Sequence, residues 1–198
     1  GRRLAALVAY REGLSKYPNS VPLLKAAGRL AIALGWQAAA GTGAPDAARP
    51  NPVAWLQAAE QSNTTDFEVQ YYLGLGLAAA ERPADARPRF ESAKRFRATR
   101  LPATIQLADL LARTGKPAEA LNELRSVGPE SPRAVTLGAL EVSLLRRLGR
   151  SAECRERLKY WRTVDPTSSL LRYESTLLGT PDAALWTHLG ADANRVLD

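Results

Sequence analysis

The chain has 198 residues, 45% of them hydrophobic, which is enough for one domain with a substantial core. Its net charge is +7, and acidic residues are scattered among the basic ones, so charge alone does not indicate a polyanion as ligand. No apolar run approaches the ~20 residues of a membrane-spanning helix. The single cysteine excludes an internal disulfide framework and is compatible with a reducing compartment, so we expect a cytoplasmic protein.

The N-terminal sequence GRRLAALVAY lacks the cleavage pattern of a signal peptide, and the chain contains no Met. We therefore expect residues 1–198 to be a single repeat domain from a longer protein. Apolar spacing predicts helices over 2–17 and 21–35. A Gly/Pro/Ala-rich insertion follows at 36–52. Such a loop is tolerated at little cost in stability; the alternative is a flap that covers one edge of a groove.

Further along the chain the pattern predicts helices and no strand. These helices are expected over 52–62, 66–81, 83–97, 101–114, 117–127, 132–148, 151–164, 167–178, 181–188 and 192–198. Two segments within this stretch have the same sequence pattern, a Gly and a basic residue followed by a small-acidic-small triplet. They are GKPAEAL at 115–121 and GRSAECR at 149–155, which begin 34 residues apart. A fixed period of this length indicates a repeat architecture.

The period holds at several positions in three successive copies. Each copy has a small residue, which is Ala86, Ala120 or Cys154, and a large apolar residue four positions later, which is Phe90, Leu124 or Leu158. The position seven residues after the small one is occupied by Ala93, Val127 and Trp161 in the three copies. Pro132 and Pro166 follow the second helices of the last two copies. A small residue lets two helices approach closely, and a large residue one turn later fills the groove beside it. Each repeat is therefore predicted to be two antiparallel helices, a first and a second, which stack on the next repeat.

This pattern resembles the tetratricopeptide repeat (TPR), with its signature W-x2-L-G-x2-Y, A-x3-F and P. YYLGLGL supplies Leu73 and Gly74, whereas Gln70, Thr104 and Gly138 replace the expected aromatic residue. The resemblance covers nearly the whole chain and implies an all-α, right-handed solenoid. The segment DPTSSLLRYE also looks like the C-terminal repeat region of large bacterial proteins that carry β-rich domains of unknown function upstream.

No catalytic constellation is predicted. His188 is the only histidine, and Cys154 occupies a small-residue position, which favours a buried, inert thiol over a nucleophile. The sequences GTG at 41–43 and GLG at 74–76 lack the frame of a phosphate-binding loop. We expect neither an enzyme nor a bound metal or cofactor in this segment.

In TPR proteins the first helices line a concave face, and that face usually binds peptides or partner helices. The resemblance therefore implies a protein-binding scaffold whose partner is another protein or an adjacent domain of the same protein. The register places these side chains on the concave face: Lys25, Arg29, Tyr71, Asp109, Arg113, Ser143, Arg146, Arg147 and Tyr173. Arginine with tyrosine suits an acidic or aromatic segment.

Two alternatives concern other ligands. A carboxylate clamp, as in TPR proteins that hold an acidic C-terminus, would begin at Lys25, but Leu75, Pro102 and Gln106 occupy its other expected places. The basic stretch RPRFESAKRFRATR at 87–100 offers an alternative surface for nucleic acid or another polyanion. Phe90 within it belongs to the repeat core and Glu91 interrupts the charge, so nucleic acid is not the favoured ligand.

Overall fold

The computed structural model of the chain describes residues 2–35, 51–63, 65–127 and 134–179, and these residues form helices joined by turns, with no strand among them. The helices are α1 (Arg2–Lys16), α2 (Val21–Ala33), α3 (Pro52–Ser62), α4 (Phe67–Ala79), α5 (Pro83–Ala93), α6 (Arg97–Arg113), α7 (Pro117–Arg125), α8 (Ala134–Arg147), α9 (Ser151–Val164) and α10 (Ser169–Leu177). The all-α fold class is confirmed. The insertion at 36–50, the helices predicted over 181–188 and 192–198, Pro132 and His188 lie outside the described residues.

The chain divides into two compact units, unit 1 (residues 1–110) and unit 2 (residues 111–198). In unit 1, consecutive helices from α1 to α5 pack on one another, and α2 also contacts α4. In unit 2, α7 packs on α8, α8 on α9 and α9 on α10, while α8 contacts α10. First helices (α2, α4, α8 and α10) thus lie beside one another within each unit, as stacking of helix pairs requires.

The periodic positions form the core. Ala86, Ala120 and Cys154 are each 0% exposed, as their small-residue role predicts. Phe90 on α5 packs so closely on the preceding helix, α4, that a Cβ added at Gly74 would lie 2.7 Å from its ring. Close approach at small residues and filling by large ones therefore hold these helix pairs together.

Gly115 and Gly149 end their helices in the left-handed conformation, with φ of 81° and 69°. The residue after each glycine donates its N–H back to the last turn, Lys116 to the carbonyl of Leu111 at 2.8 Å and Arg150 to that of Leu145 at 3.0 Å. This is a Schellman closure, which favours glycine because a Cβ resists positive φ. The sequence pattern shared by residues 115–121 and 149–155 thus specifies the same turn between a first and a second helix in both repeats.

One predicted boundary is wrong. The sequence predicted a helix over 83–97 and the next from residue 101, whereas α5 ends at Ala93 and Arg97 begins α6. The hydroxyl of Thr99 donates to the carbonyl of Ala93 at 2.6 Å inside the protein, which fixes the turn between the two helices. The residues of this turn, Lys94 to Phe96, include no helix breaker, so the periodic pattern alone did not reveal it. The other described boundaries lie within about two residues of prediction.

Candidate functional site

Two predicted site cations of unit 1, Lys25 and Arg29, lie one turn apart on α2 and meet the start of α4. The ammonium Nζ of Lys25 lies 2.8 Å from Oδ2 of Asp66 and 2.6 Å from Oε2 of Glu68. Arg29 donates from Nη1 to Oε1 of Glu68 at 2.9 Å. Asp66 is also the N-cap of α4, accepting the N–H groups of Glu68 and Val69 at 3.0 and 3.2 Å. These cations therefore join two adjacent first helices.

The charges of this cluster stabilise one another. Burial by itself would lower the pKa of Lys25, but its bonds to Asp66 and Glu68 outweigh burial and raise that pKa. Burial opposes ionisation of Asp66 as well, yet the bonds from Lys25 and from backbone N–H groups hold its pKa below the ordinary value. The pKa of Glu68 is lowered chiefly by its hydrogen bond from Lys25. All three groups are thus held ionised at neutral pH.

The other predicted site residues of unit 1 are partly covered. The ring of Tyr71 on α4 is half-buried, with its centroid 5.3 Å from that of Tyr72 and 6.3 Å from that of Phe90. Burial raises the pKa of its phenol. Asp109 on α6 is half-exposed. Tyr71 therefore borders the core and presents only part of its ring to a ligand.

In unit 2 the predicted residues of α8 and α10 come together. Arg146 donates from Nε to Oε2 of Glu174 at 2.8 Å, and this bond raises the pKa of Arg146. Glu174, one residue from Tyr173 on α10, is only 6% exposed. Tyr173 itself is 59% exposed. An exposed tyrosine thus lies next in sequence to a partly buried ion pair.

The remaining predicted residues of unit 2 lie at the ends of helices or along α8. Arg147 donates from Nη2 to the carbonyl of Ala112 at 3.1 Å, which satisfies a carbonyl in the last turn of α6. Arg113, the last residue of α6, is exposed, and Ser143 on α8 is half-exposed. Arg147, unlike Arg146, thus bonds a neutral carbonyl in this contact rather than a carboxylate.

The structure also reveals a cluster that the sequence analysis missed. The carboxylate of Glu141 on α8 is buried, with 5% of its side chain exposed. Its Oε2 accepts from the indole Nε1 of Trp161 at 3.0 Å and from Nε and Nη2 of Arg157 at 3.0 and 2.9 Å. Arg125 on α7 places Nε 3.6 Å from Oε1. Trp161 lies against Gly138, where an added Cβ would overlap the indole ring.

The two most buried members of this cluster, Glu141 and Trp161, form the floor of a cavity of about 440 Å³ in unit 2, and the more exposed Arg125 and Arg157 lie nearer its mouth. Leu124, Val127 and Leu137 form apolar walls, and Tyr160 packs edge-on against Trp161 with ring centroids 5.1 Å apart. The guanidinium of Arg157 lies 4.8 Å from the centre of the Tyr160 ring, within range of a cation–π contact. The cavity combines apolar area, aromatic rings and cationic donors, as binding pockets do.

The sequence does contain an indication of this cluster, which appears when equivalent positions of successive 34-residue repeats are compared. Leu73 and Leu107 occupy the position of Glu141 in the two preceding repeats, and Ala93 and Val127 occupy that of Trp161. A carboxylate and a large indole replace apolar residues in the same copy. Their pairing could have been predicted from this joint departure, together with the absence of a side chain at Gly138.

The alternative basic edge at 87–100 is partly occupied by contacts within the protein. Arg87 donates to Glu91 at 2.9 Å, and Arg89 pairs with Glu60. Phe90 is 0% exposed. Phe96 stacks on Phe67 with ring centroids 5.7 Å apart, although half of its surface remains exposed. The aromatic residues of this edge therefore have partners in the fold.

Two further features bear on chemistry. Cys154 is fully buried, its Sγ donates to the carbonyl of Val142 at 3.3 Å, and burial raises the pKa of the thiol. Among the described residues, no group of His, Cys, Asp and Glu side chains could hold a metal ion. Nor does this part of the chain contain a helix long and apolar enough to cross a membrane.

Comparison with known proteins identifies the fold. No protein-family model and no curated protein sequence matches the chain. The solved structure of YrrB, a TPR protein with an unusual peptide-binding site, matches with a TM-score of 0.68 and 17% identity over 88% of this chain and 84% of YrrB. A structure of MamA matches with a TM-score of 0.69 and 17% identity over 84% of each chain. At this identity the likeness concerns the fold, and it confirms the TPR-like helical repeat.

Proposed function

We propose that the chain is a noncatalytic protein-binding scaffold whose first helices take an extended or helical segment of another protein or of an adjacent domain. The observation that carries the proposal is the fold, since stacked helix pairs present their first helices as one surface in each unit. YrrB, which shares the fold, has a peptide-binding site. The proposal assigns no catalytic residue, cofactor or metal.

The ion pairs refine which residues meet the ligand. Lys25 and Arg29 in unit 1, like Arg146 in unit 2, already bind carboxylates of neighbouring helices. We therefore give these residues the role of fixing the first helices in register. In unit 2, Arg113 and Arg147 supply positive charge and Tyr173 an exposed aromatic ring, which together favour an acidic segment with an apolar or aromatic side chain.

A charge-reversal pair tests this assignment. The double variant Arg113→Glu, Arg147→Glu should lose capture of partner proteins from a lysate of the cells that make the protein, because like charges then face an acidic ligand. The matched control is Arg95→Glu, Arg97→Glu, which changes net charge equally on exposed residues of the basic edge. Circular dichroism and the thermal midpoint verify that both variants fold.

The outcomes separate two ligand classes. Loss of capture in the first variant with retention in the control supports the first-helix surface. Loss of capture in the control with retention in the first variant would show that the partner binds the basic edge. Binding of a polyanion there should weaken steeply as the salt concentration rises. Retention in both variants contradicts the proposal.

A further inference from the structure

The cavity floored by Glu141 contains more cationic donors than its buried carboxylate requires. Arg157 satisfies Oε2 of Glu141 with two N–H groups, and Arg125 approaches Oε1 from the other side. Arg125 also meets Glu153, but Glu153 is shared with Arg150. Among the described residues of this ion-pair network, Arg125, Arg150 and Arg157 carry three positive charges and Glu141 and Glu153 carry two negative ones, which leaves one positive charge in excess.

The arginines of the cavity are accessible as well as fixed. The side chains of Arg125 and Arg157 are 36% and 33% exposed, so their outer N–H groups can reach a ligand. Arg157 is held in place by two hydrogen bonds to buried Glu141, and Arg125 by its ion pair with Glu153. These contacts reduce the side-chain entropy that is lost when a ligand binds. A carboxylate at the mouth of the cavity would accept charge-assisted hydrogen bonds from them.

The remaining walls favour an apolar group. Leu124 and Leu137 line the interior, and the rings of Trp161 and Tyr160 meet edge-on at 74°. Tyr160 is 42% exposed, so an entering side chain would cover an aromatic surface that now faces solvent. Burial of apolar area against these walls would add to the bonds made at the mouth.

We propose that this cavity, between α7, α8 and α9, is a second binding site that takes an apolar side chain next to an Asp or Glu in an acidic segment of a partner protein. The site shares no residue with Arg113, Arg147 and Tyr173, and it needs neither a metal nor a cofactor. Charge complementarity identifies the occupant, because one excess positive charge borders an otherwise apolar and aromatic pocket.

A display library of nine-residue peptides tests the site, because it samples acidic and apolar sequences without favouring any one partner. Panning on the wild-type chain should enrich peptides with an aliphatic or aromatic residue next to Asp or Glu. A synthetic peptide from that set should bind the variant Tyr160→Ala, Arg125→Gln about tenfold or more weakly than wild type. Both residues are partly exposed, so the variant should keep its helical circular dichroism.

Two matched variants locate the effect. The control Tyr17→Ala, Lys159→Gln makes equivalent substitutions at exposed residues outside the cavity and should leave affinity unchanged. Tyr173→Ala should also leave affinity unchanged, which separates the cavity from the first-helix surface. Enrichment of peptides without the acidic-apolar pair, no enrichment, or equal affinity for the cavity variant would overturn the proposal.

A second readout uses the wild-type protein alone. The indole N–H of Trp161 donates to Glu141 on the cavity floor at 3.0 Å, so its ¹H–¹⁵N resonance reports on the site. The variant Trp161→Phe assigns that resonance. Titration with the synthetic peptide should shift it, with a dissociation constant equal to that from the affinity measurement. An unshifted resonance at saturating peptide contradicts binding in the cavity.

Discussion

At the scale of single residues, Glu81 departs from an otherwise consistent turn. It stands 34 residues before Gly115 and 68 before Gly149, and it adopts the same left-handed conformation with φ of 56°. The closing bond is also the same, from the N–H of Arg82 to the carbonyl of Leu77 at 2.9 Å. A side chain in this conformation costs about 1–2 kcal/mol. The first copy of the turn is therefore strained where the later copies are relaxed.

We predict that Glu81→Gly stabilises the protein by about 0.5–1 kcal/mol, because relief of strain exceeds the added freedom of glycine in the unfolded chain. Urea unfolding followed by circular dichroism measures the change. The reciprocal control, Gly115→Ala, should lose about 1 kcal/mol. A destabilised Glu81→Gly would show that the glutamate contributes an interaction that offsets its strain.

Gly138 provides a second prediction at this scale. Alanine in place of a glycine within a helix normally stabilises by about 0.5–1 kcal/mol. Here the new Cβ would overlap the indole of Trp161, which is only 2% exposed and cannot move aside freely. We therefore expect Gly138→Ala to destabilise by about 1–3 kcal/mol.

The control for Gly138→Ala is Ser143→Ala on the same helix, at a half-exposed position, where the change should stay within about 0.5 kcal/mol. The free energy of unfolding in urea measures both variants. A gain in stability from Gly138→Ala would mean that the indole does not occupy the space above this glycine.

At the scale of helices, unit 1 holds α2 and α4 together through Lys25, Asp66 and Glu68. The pKa values of Asp66 and Glu68 are lowered in the folded protein. Their contribution to stability is therefore fully present above the unfolded pKa values near 4, and it is lost as pH falls through the lower folded values. The raised pKa of Lys25 matters at high pH. The stability that the Lys25 ion pairs contribute is lost as pH rises through this raised pKa.

We predict that Lys25→Met destabilises the protein at pH 7 and that its difference from wild type shrinks between about pH 4 and pH 2. Protonation of the two carboxylates removes the ion pairs from the wild type as well. Urea unfolding at pH 7, 4 and 2 measures this difference. Lys16→Met, at an exposed lysine of α1, is the control and should show little pH dependence. A constant difference for Lys25→Met over this range would contradict electrostatic joining of the helices.

The elements show which features a periodic sequence can predict. Ala86 and Ala120 were correctly placed at buried helix crossings, because packing within a repeat recurs at a fixed spacing. The end of α5 was not predicted, because it depends on the hydroxyl of Thr99 bonding a carbonyl of the preceding helix. The site of Glu141 and Trp161 was missed for a related reason, since it arises where one copy departs from the period.

Ion pairs inside the protein also change the role assigned to cations that the sequence placed in the binding site. The period predicted which residues share the first helices, and the structure places Lys25, Arg29 and Arg146 there. It did not predict their carboxylate partners, which are distant in sequence: Arg146 and Glu174, for example, lie 28 residues apart. Which carboxylate a long, flexible Lys or Arg side chain binds depends on how the neighbouring helices pack. The period predicts where the backbone of each helix lies but not which side chains meet.

At the scale of the whole molecule, the net charge of +7 overstates the number of cations free to bind a ligand. In unit 1, α2 and α4 neutralise each other's charges across their contact. In unit 2, the pair of Arg146 and Glu174 does the same between α8 and α10. Each unit thus has first helices joined by internal ion pairs, and the proposed binding relies on a few exposed groups rather than on overall positive charge.

Hydrogen–deuterium exchange of the chain with and without its captured partner tests whether a partner binds along the first helices. We expect amide exchange in the first helices to slow on binding, most of all in α8 and α10 of unit 2, because the proposed partner lies along them. The Arg113→Glu, Arg147→Glu variant should show no such slowing under the same conditions. Unchanged exchange in every first helix of a chain saturated with partner would contradict a scaffold that binds through this surface.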